Sequence, residues 1–373
     1  MRVLQIIPAM DSSAGAETSL AAVDPLLVAL GFEVHLAALN EHQSLVPSLR
    51  SRGVHVHDLS GGSSAQRLIA LASLIRRIKP ALLHASLFQA AIPTQVLSPL
   101  LGVPVVVTWA STPTGRVAGV ATWKTQTVLV VESAAARLSR SRFHAVTDGV
   151  ARTKVRELHV KRDRVRVAER GRDARRFKPA DQMARAAKRA ELGVDGDEFV
   201  LLAVGRQEPQ KDYPLLVGAF DSVQSVGTRG RLLIAGRTGH ASTDLEEAIA
   251  KARFPHRVNV LGQREDVSEL LIAADAIACS SVREGAAGSL IEAMAAGIPV
   301  VAVQLDGLEG VLEDEHNALV VPRSDLSEGI RRLAGDPALR QRLGEEGRKT
   351  FLARFTLERS AEALAEVYRW AAR

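Results

Sequence analysis

The chain has 373 residues, which exceeds the usual size of one hydrophobic core, so two domains of about 180 residues are expected. Hydrophobic residues make up 46% of the sequence and charged residues 24%, as in ordinary globular proteins, and no apolar run reaches the roughly 18–20 residues of a membrane span. The first strand ends too soon, at Pro8, for a signal peptide. The single cysteine, Cys279, excludes an internal disulfide and a cysteine-based metal site, and we expect it to be buried and inert.

Apolar strands and helical stretches alternate through the first half of the chain, which indicates α/β architecture with parallel strands. The pattern predicts strands over residues 3–8, 33–38, 81–84 and 103–108. It predicts helices over residues 17–30 and 66–79.

A basic block follows between residues 137 and 189, with 18 Lys and Arg residues against 6 Asp and Glu residues. Such a block could attract an anionic membrane surface, a polyanionic acceptor or nucleic acid. We favour a solvated basic face and a charged linker between domains, because the basic residues are mixed with turns. Nucleic acid is disfavoured, because Phe143 and Phe177, near the two ends of the block, do not form a stacking platform.

A second alternating unit begins with the apolar run 199–204. Further strands are predicted over 231–235, 258–261, 276–280 and 298–303. Helices are predicted over 213–225, 244–252, 267–274 and 290–296, and an amphipathic helix over 356–373. These halves predict two domains, residues 1–178 and 179–355, followed by a terminal helix.

Two carboxylates, Glu284 and Glu292, lie eight positions apart between two predicted strands of the second unit. The segment between them starts with four small residues that let the backbone approach a ligand: Gly285, Ala286, Ala287 and Gly288. A helix that begins here would offer amide donors to phosphate or sugar oxygens, while the carboxylates accept from hydroxyls. Glu292 has a second interpretation, since Ser289 and Glu292 also fit a capping box, in which the acid only satisfies a backbone amide.

This motif resembles the Glu-x7-Glu signature of the retaining glycosyltransferases of family 4, and Pro299-Val300-Val301-Ala302 matches the strand that usually follows it. The resemblance implies the GT-B fold, which is α/β with two Rossmann-like domains facing a central cleft. It implies that the last helix crosses back onto the N-terminal domain. It also implies that Glu284 lies near the transferred sugar, that Glu292 accepts from ribose hydroxyls, and that the amides of residues 286–289 hold sugar hydroxyls.

Two cations follow the strand 199–204. Arg206 and Lys211 match the diphosphate clamp of the family, with Asp212 in place of the usual glycine. Cations at the carboxyl end of a strand suit a diphosphate leaving group, because its negative charge grows as the glycosidic bond breaks. The alternative interpretation is two surface cations after a strand.

Two further turns resemble donor-binding segments of the family. Gly15 would let the backbone approach the β-phosphate at a helix start, or it is simply part of an N-terminal turn. Arg264 follows the strand 258–261, where relatives hold the nucleotide base, or it belongs to a charged surface turn.

The chain departs from the family in its N-terminal half. Ala110 occupies the place of a histidine that relatives carry near the donor sugar, and Ser111 could substitute as a hydroxyl donor. His84 matches another family position and would line the acceptor side, or it is a structural histidine at a strand end. At the junction between the domains, Arg170 and Arg172 stand where the family usually has Asn and Val.

The sequence therefore predicts a retaining glycosyltransferase that uses a UDP- or GDP-sugar as co-substrate, with no cofactor and no metal. Its catalytic groups would be Glu284, Arg206 and Lys211, and no protein nucleophile is required. The expected acceptor is a glycan, a lipid or a small metabolite, and the expected location is the cytoplasm, with peripheral contact to the inner membrane surface as one use of the basic block. Two alternatives stay open: a nucleotide-sugar epimerase of GT-B shape and a non-catalytic nucleotide-binding subunit. A dehydrogenase is disfavoured, because no Gly-x-Gly-x-x-Gly follows the first strand.

Overall fold

The structure is a computed structural model that describes residues 1–10, 15–40, 44–110, 122–179, 181–225, 227 and 229–373. Residue contacts divide the chain into two compact units, one of Met1–Gly171 with Leu357–Arg373 and the other of Arg172–Thr356. This division lies seven residues before the predicted boundary at residue 178. The difference has a physical cause, because Phe177 is buried in the core of the second unit and the amide of Arg172 donates to the carbonyl of Phe355 at 2.8 Å.

Seven strands of the described chain form the parallel sheet of the N-terminal unit. They are β1 (Arg2–Ile7), β2 (Glu33–Ala38), β3 (His55–Asp58), β4 (Leu82–Ser86), β5 (Val105–Trp109), β6 (Arg142–Ala145) and β7 (Val165–Val167). Their order across the sheet is β3-β2-β1-β4-β5-β6-β7. The helices are α1 (Gly15–Ala29), α2 (Val46–Ser51), α3 (Ser64–Ile78), α4 (Phe88–Leu101), α5 (Thr122–Leu138) and α6 (Asp148–Leu158). Strands buried on both faces read as continuous apolar runs, which is why β1, β2 and β5 are visible in the sequence.

The basic block is not a linker over most of its length. It contains β6, α6 and β7, and the two strands complete one side of the N-terminal sheet. Several of its cations are buried in ion pairs: Lys154 pairs with Glu132 at 2.8 Å, and Lys188 pairs with Asp266 at 2.7 Å. The expectation of a charged linker between domains was wrong here, because short strands flanked by arginines have too few apolar residues to show their period.

Six strands of the described chain form the parallel sheet of the second unit. They are β8 (Phe199–Val204), β9 (Gly230–Ala235), β10 (Val258–Gly262), β11 (Ala276–Cys279), β12 (Val300–Val303) and β13 (Leu319–Val321). Their order is β10-β9-β8-β11-β12-β13. The helices are α7 (Gln182–Glu191), α8 (Tyr213–Ser225), α9 (Ser242–Lys251), α10 (Val267–Ala273), α11 (Gly288–Ala296), α12 (Leu326–Gly335) and α13 (Pro337–Arg354).

The last helix, α14 (Leu357–Ala371), belongs to the N-terminal unit, where it packs against α1. Its apolar stripe joins the core of that unit, and Ala365 and Tyr368 are completely buried. Among the residues that the structure describes, no helix combines the length and apolar character needed to cross a membrane.

The order of the second sheet contains a switch point. From β8 the chain builds outward through β9 and β10, and it then returns to place β11 on the other side of β8. Open α/β sheets bind ligands outside the carboxyl ends of their strands at such a point. The loops that follow β8 and β11 are therefore the place to look for a ligand site.

Candidate functional site

The loops after β8 and β11 bring a lysine and a glutamate together. Lys211 Nζ donates to Glu284 Oε1 at 2.6 Å, and the two side chains are only 17% and 11% exposed. Ser281 Oγ donates to the same carboxylate oxygen at 2.6 Å. Because β8 and β11 are neighbours in the sheet, this largely buried pair lies at the switch point, although 73 positions separate its members in the sequence.

Backbone contacts fix the two loops against each other. Ser280 Oγ donates to the carbonyl of Lys211 at 2.7 Å, and the amide of Val282 donates to the carbonyl of Gln210 at 2.8 Å. Gly205 leaves room for the lysine side chain, since a Cβ at this position would lie 2.6 Å from Lys211 Cε. Contacts from both loops therefore fix the direction in which the Lys211 side chain points.

Asp212 shows how the chain accommodates its departure from the family pattern. This residue has φ 46° and ψ 52°, in the left-handed region that glycine adopts readily and aspartate tolerates. Its carboxylate forms an ion pair with Arg323. Aspartate in place of glycine thus keeps the loop conformation next to Lys211 and adds an ion pair with Arg323, which is distant in the sequence.

The charge state of the site follows from its burial. Burial lowers the pKa of Lys211, but the adjacent Glu284 carboxylate opposes it and leaves the pKa above its usual value. Lys211 is therefore a cation at neutral pH. Lys211 and Glu284 line a pocket together with Tyr213, Cys279 and Ser289. Cys279 is buried, as predicted. Burial raises the pKa of its thiol, which therefore stays protonated.

Glu292 has a partner that the sequence motif did not reveal. Arg172 Nε donates to Glu292 Oε1 at 2.6 Å, and the side chains are 15% and 18% exposed. The guanidinium also lies against Gly288, where a Cβ would collide with its Nη2 atom. In the sequence, Arg172 is visible only as a departure from the family's Val, and no local pattern points to a partner 120 residues away.

The helix that carries Glu292 begins earlier than a capping box requires. Its N-cap residue is Ala287, with φ 43° and ψ 50°, and among the described residues no side chain caps this helix end. Ser289 lies inside the first turn, so the capping-box interpretation of Glu292 is wrong. The amides of Gly288 and Ser289 stand at the positive end of α11, next to the loop of Gly285 and Ala286 that leads from Glu284.

Two other residues predicted to bind the sugar donor, Arg206 and Arg264, lie outside the pocket that Lys211 and Glu284 line. Arg206 is 53% exposed, and its Nη1 atom lies 3.8 Å from Glu208 Oε1. Arg264 makes a two-point pair with Asp266, at 2.7 and 2.6 Å. Arg206 is therefore half exposed and only loosely paired, whereas Arg264 is already engaged in a close two-point ion pair.

The remaining predicted residues belong to the N-terminal unit. Gly15 is the exposed first residue of α1. His84 is buried, with Nδ1 2.6 Å from the hydroxyl of Tyr368 and Nε2 2.6 Å from that of Thr108, and burial lowers its pKa to about 3. These contacts favour the structural interpretation of His84. Ser111 lies outside the described residues.

Each of the two units matches a protein-family model. Residues 14–171 match the family model described as "Glycosyl transferase 4-like domain", and residues 184–350 match "Glycosyl transferases group 1". The D-inositol 3-phosphate glycosyltransferase of Saccharomonospora viridis is 31% identical over 236 residues, which are 60% of this chain and 54% of that protein. The lipopolysaccharide core biosynthesis glycosyltransferase LpsD of Rhizobium meliloti is 31% identical over 218 residues, with 58% and 60% covered. The chain thus spans a little over half the length of these curated relatives.

The HepE protein of Anabaena shares the fold. Its crystal structure in complex with UDP has a TM-score of 0.85 at 19% identity, over 99% of this chain and 100% of that one. Its complex with UDP-glucose has a TM-score of 0.84 at 18% identity, over 99% of both chains. The chain therefore has the fold of the GT-B glycosyltransferases and contains a glycosyl transferase 4-like domain followed by a glycosyl transferases group 1 domain.

Proposed function

We propose that the protein is a retaining glycosyltransferase that moves a sugar from a nucleotide diphosphate sugar to a glycan, lipid or small-molecule acceptor. The observation that carries this proposal is the Lys211–Glu284 pair at the switch point of the second sheet. A UDP-sugar is the donor to test first, because HepE was crystallised with UDP and with UDP-glucose.

Lys211 and Arg206 would neutralise the diphosphate as it leaves. Negative charge develops on the β-phosphate while the bond to the anomeric carbon breaks, and cations held beside it stabilise that transition state. Lys211 is held as a cation by Glu284, so it needs no proton transfer before it binds phosphate. Arg206 is half exposed and would swing onto the same group.

The two glutamates would hold the other parts of the donor. Lys211 and Ser281 both donate to Oε1 of Glu284, so its Oε2 atom would accept from a sugar hydroxyl and place negative charge near the developing oxocarbenium ion. Arg172 takes Oε1 of Glu292, whose second oxygen would accept from a ribose hydroxyl. The amides at the start of α11 would hold further sugar oxygens.

The reaction would proceed on one face of the sugar. The acceptor oxygen forms its bond to the anomeric carbon on the side from which the diphosphate leaves, and a phosphate oxygen takes the acceptor's proton. No metal and no protein nucleophile enters this scheme, and the buried, protonated thiol of Cys279 is poorly suited to be one.

Nucleotide binding and transfer by single variants test these roles. UDP-glucose and GDP-sugars are screened by thermal shift, since a ligand of the folded state raises the unfolding temperature. We expect Lys211→Ala to abolish most of the shift and to reduce transfer roughly 100-fold, the usual effect of removing one transition-state charge contact. Glu284→Gln should lower turnover by a similar factor and weaken UDP binding less than it lowers turnover. Lys251→Ala, at an exposed lysine of the same unit, is the control.

Several outcomes would redirect the proposal. Equal donor binding and transfer by the Lys211→Ala and Lys251→Ala proteins would remove Lys211 from the site. Isomerised sugar after incubation with donor alone would indicate an epimerase, and donor binding with no transfer to any acceptor would indicate a binding subunit. The cytoplasmic location and contact of the basic block with an anionic membrane stay predictions, and buried cations such as Lys154 take no part in such contact.

A further inference from the structure

Four potential metal ligands share one face at the edge of the N-terminal sheet. Strand β2 carries Glu33 and His35, and the edge strand β3 carries His55 and His57. Side chains two positions apart point to the same face of a strand, and His35 is in register with His55. The parallel pairing therefore gathers one carboxylate and three imidazoles, none of which has a part in the proposed transfer.

Three of these side chains are close enough to share one ion. One ligand atom each from Glu33, His35 and His55 lies within 4.8 Å of the others. Glu33 Oε1 is 3.0 Å from His35 Nε2, and the rings of His35 and His55 stack with centroids 4.7 Å apart. Two ligand atoms of a tetrahedral zinc ion lie about 3.3 Å apart. Small rotations of Glu33 and His55, which are both exposed, would complete the approach.

His57 serves as an outer partner of this group. Its Nε2 atom lies 2.9 Å from His35 Nδ1. At this distance the two nitrogens form a hydrogen bond, and we assign His35 Nδ1 as its donor and His57 Nε2 as its acceptor. That tautomer leaves a lone pair on His35 Nε2, which faces the Glu33 carboxylate. Two such acceptors at 3.0 Å need a proton or a cation between them.

We propose that Glu33, His35 and His55 bind a divalent transition-metal ion such as Zn²⁺, with His57 orienting the ring of His35. Two imidazoles and one carboxylate form a ligand set that zinc accepts, and water would complete its coordination. Arg2 Nε lies 2.9 Å from Glu33 Oε1, so this ion pair competes with the metal ion for the carboxylate and weakens its binding. The bound ion would fasten the edge strand β3 to β2.

Zinc uptake by the full-length, untagged protein tests the site. Equilibrium dialysis should give one equivalent of zinc, and zinc should raise the unfolding temperature of the wild-type protein. We expect His55→Ala and Glu33→Gln, at exposed positions that leave the core intact, to weaken uptake at least roughly tenfold and to abolish the thermal shift. His256→Ala, at an exposed histidine of the second unit, is the matched control and should behave as wild type.

Two results would overturn the proposal. One is no stoichiometric uptake by the wild-type protein. The other is uptake that the His55→Ala and Glu33→Gln proteins share equally with the His256→Ala protein, which would mean non-specific surface binding. Neither result bears on donor binding, which is measured separately with UDP-glucose.

Discussion

At the proposed donor site, Arg172 is the main residue whose contact the sequence did not predict. The family usually has Val at this position. Here the guanidinium of Arg172 donates to the carboxylate of Glu292, which we propose to accept from ribose hydroxyls. Both partners are largely buried, and a buried carboxylate that loses its cation is strongly disfavoured as an anion. We therefore regard Arg172 as a positioning residue that acts through Glu292.

Arg172→Val tests that role. Once Glu292 loses this partner, its carboxylate would be less well placed, so we expect UDP to bind roughly tenfold more weakly. Discrimination between UDP and 2′,3′-dideoxy-UDP should shrink, because the ribose hydroxyls lose their acceptor. Isothermal calorimetry with both nucleotides measures this, with Arg331→Ala on the exposed face of α12 as the control.

A double-variant cycle separates this role from a general loss of stability. In a Glu292→Gln background, the further change Arg172→Val should alter UDP affinity little. Tighter UDP binding in the Arg172→Val protein would contradict positioning and would mean that the guanidinium competes with the ribose.

At the scale of elements, a network of hydrogen bonds between buried polar side chains joins α14 to the sheet of the N-terminal unit. Gln5 Nε2 donates to Asp24 Oδ1 at 2.7 Å and to the hydroxyl of Tyr368 at 3.0 Å. His84 continues the network: its Nδ1 atom lies 2.6 Å from the hydroxyl of Tyr368, and its Nε2 atom lies 2.6 Å from the hydroxyl of Thr108. This network links β1, α1, α14, β4 and β5, and each of its buried side chains forms at least one hydrogen bond to another.

The carboxyl group of Asp24 makes folding of this assembly depend on pH. Burial raises its pKa from 3.8 to about 7, against an opposing hydrogen bond from Gln5. Between these two values the folded protein holds a proton that the unfolded chain has released, so this group lowers the free energy of unfolding as the pH rises. Above the folded-state pKa the loss is complete, and it is of the order of 4 kcal/mol.

Asp24→Asn removes this ionisation. Relative to wild type, we expect the variant to gain stability progressively as the pH rises from about 5 to about 8. Urea-induced unfolding at the two pH values measures the gain, and Asp244→Asn, at an exposed aspartate on α9, should show no comparable trend. A difference from wild type that is independent of pH would refute the assignment.

At the scale of the whole molecule, the N-terminal unit is closed by the last helix of the chain. Six apolar residues of α14 are buried in its core: Ala361, Leu364, Ala365, Val367, Tyr368 and Ala371. Leu364, Val367 and Tyr368 are the larger of the six; losing such core side chains costs about 2–5 kcal/mol each, and a domain is stable by only about 5–15 kcal/mol. We therefore expect the N-terminal unit to depend on α14 for its stability.

Truncation after Thr356 tests this dependence. We expect the amides of β1 and β4 to lose their protection from hydrogen exchange, while those of β8 and β11 keep it. Removal of Ala372 and Arg373 alone is the control, since both lie beyond the end of α14. Full protection of β1 in the truncated protein would show that α14 is dispensable.

Some elements could be located from the sequence alone. Strands β2 and β8 and helix α8 were predicted with the observed bounds, because buried strands and helices show uninterrupted apolar runs or a clear helical period. Helix α4 was missed because Pro93 and Pro99 lie inside it, and proline normally argues against a helix. Strands β6 and β7 were missed because they have only four and three residues and lie among arginines.

The sequence by itself determined the two α/β units and the residues that could bind a donor, because apolar periodicity and motif spacing are local properties of the chain. Only the tertiary structure decided which of these residues meet. Lys211 reaches Glu284 because β11 returns to the side of β8, and Arg172 reaches Glu292 across 120 positions. Ion pairs depend on distances in space, and strand order sets those distances independently of separation along the chain.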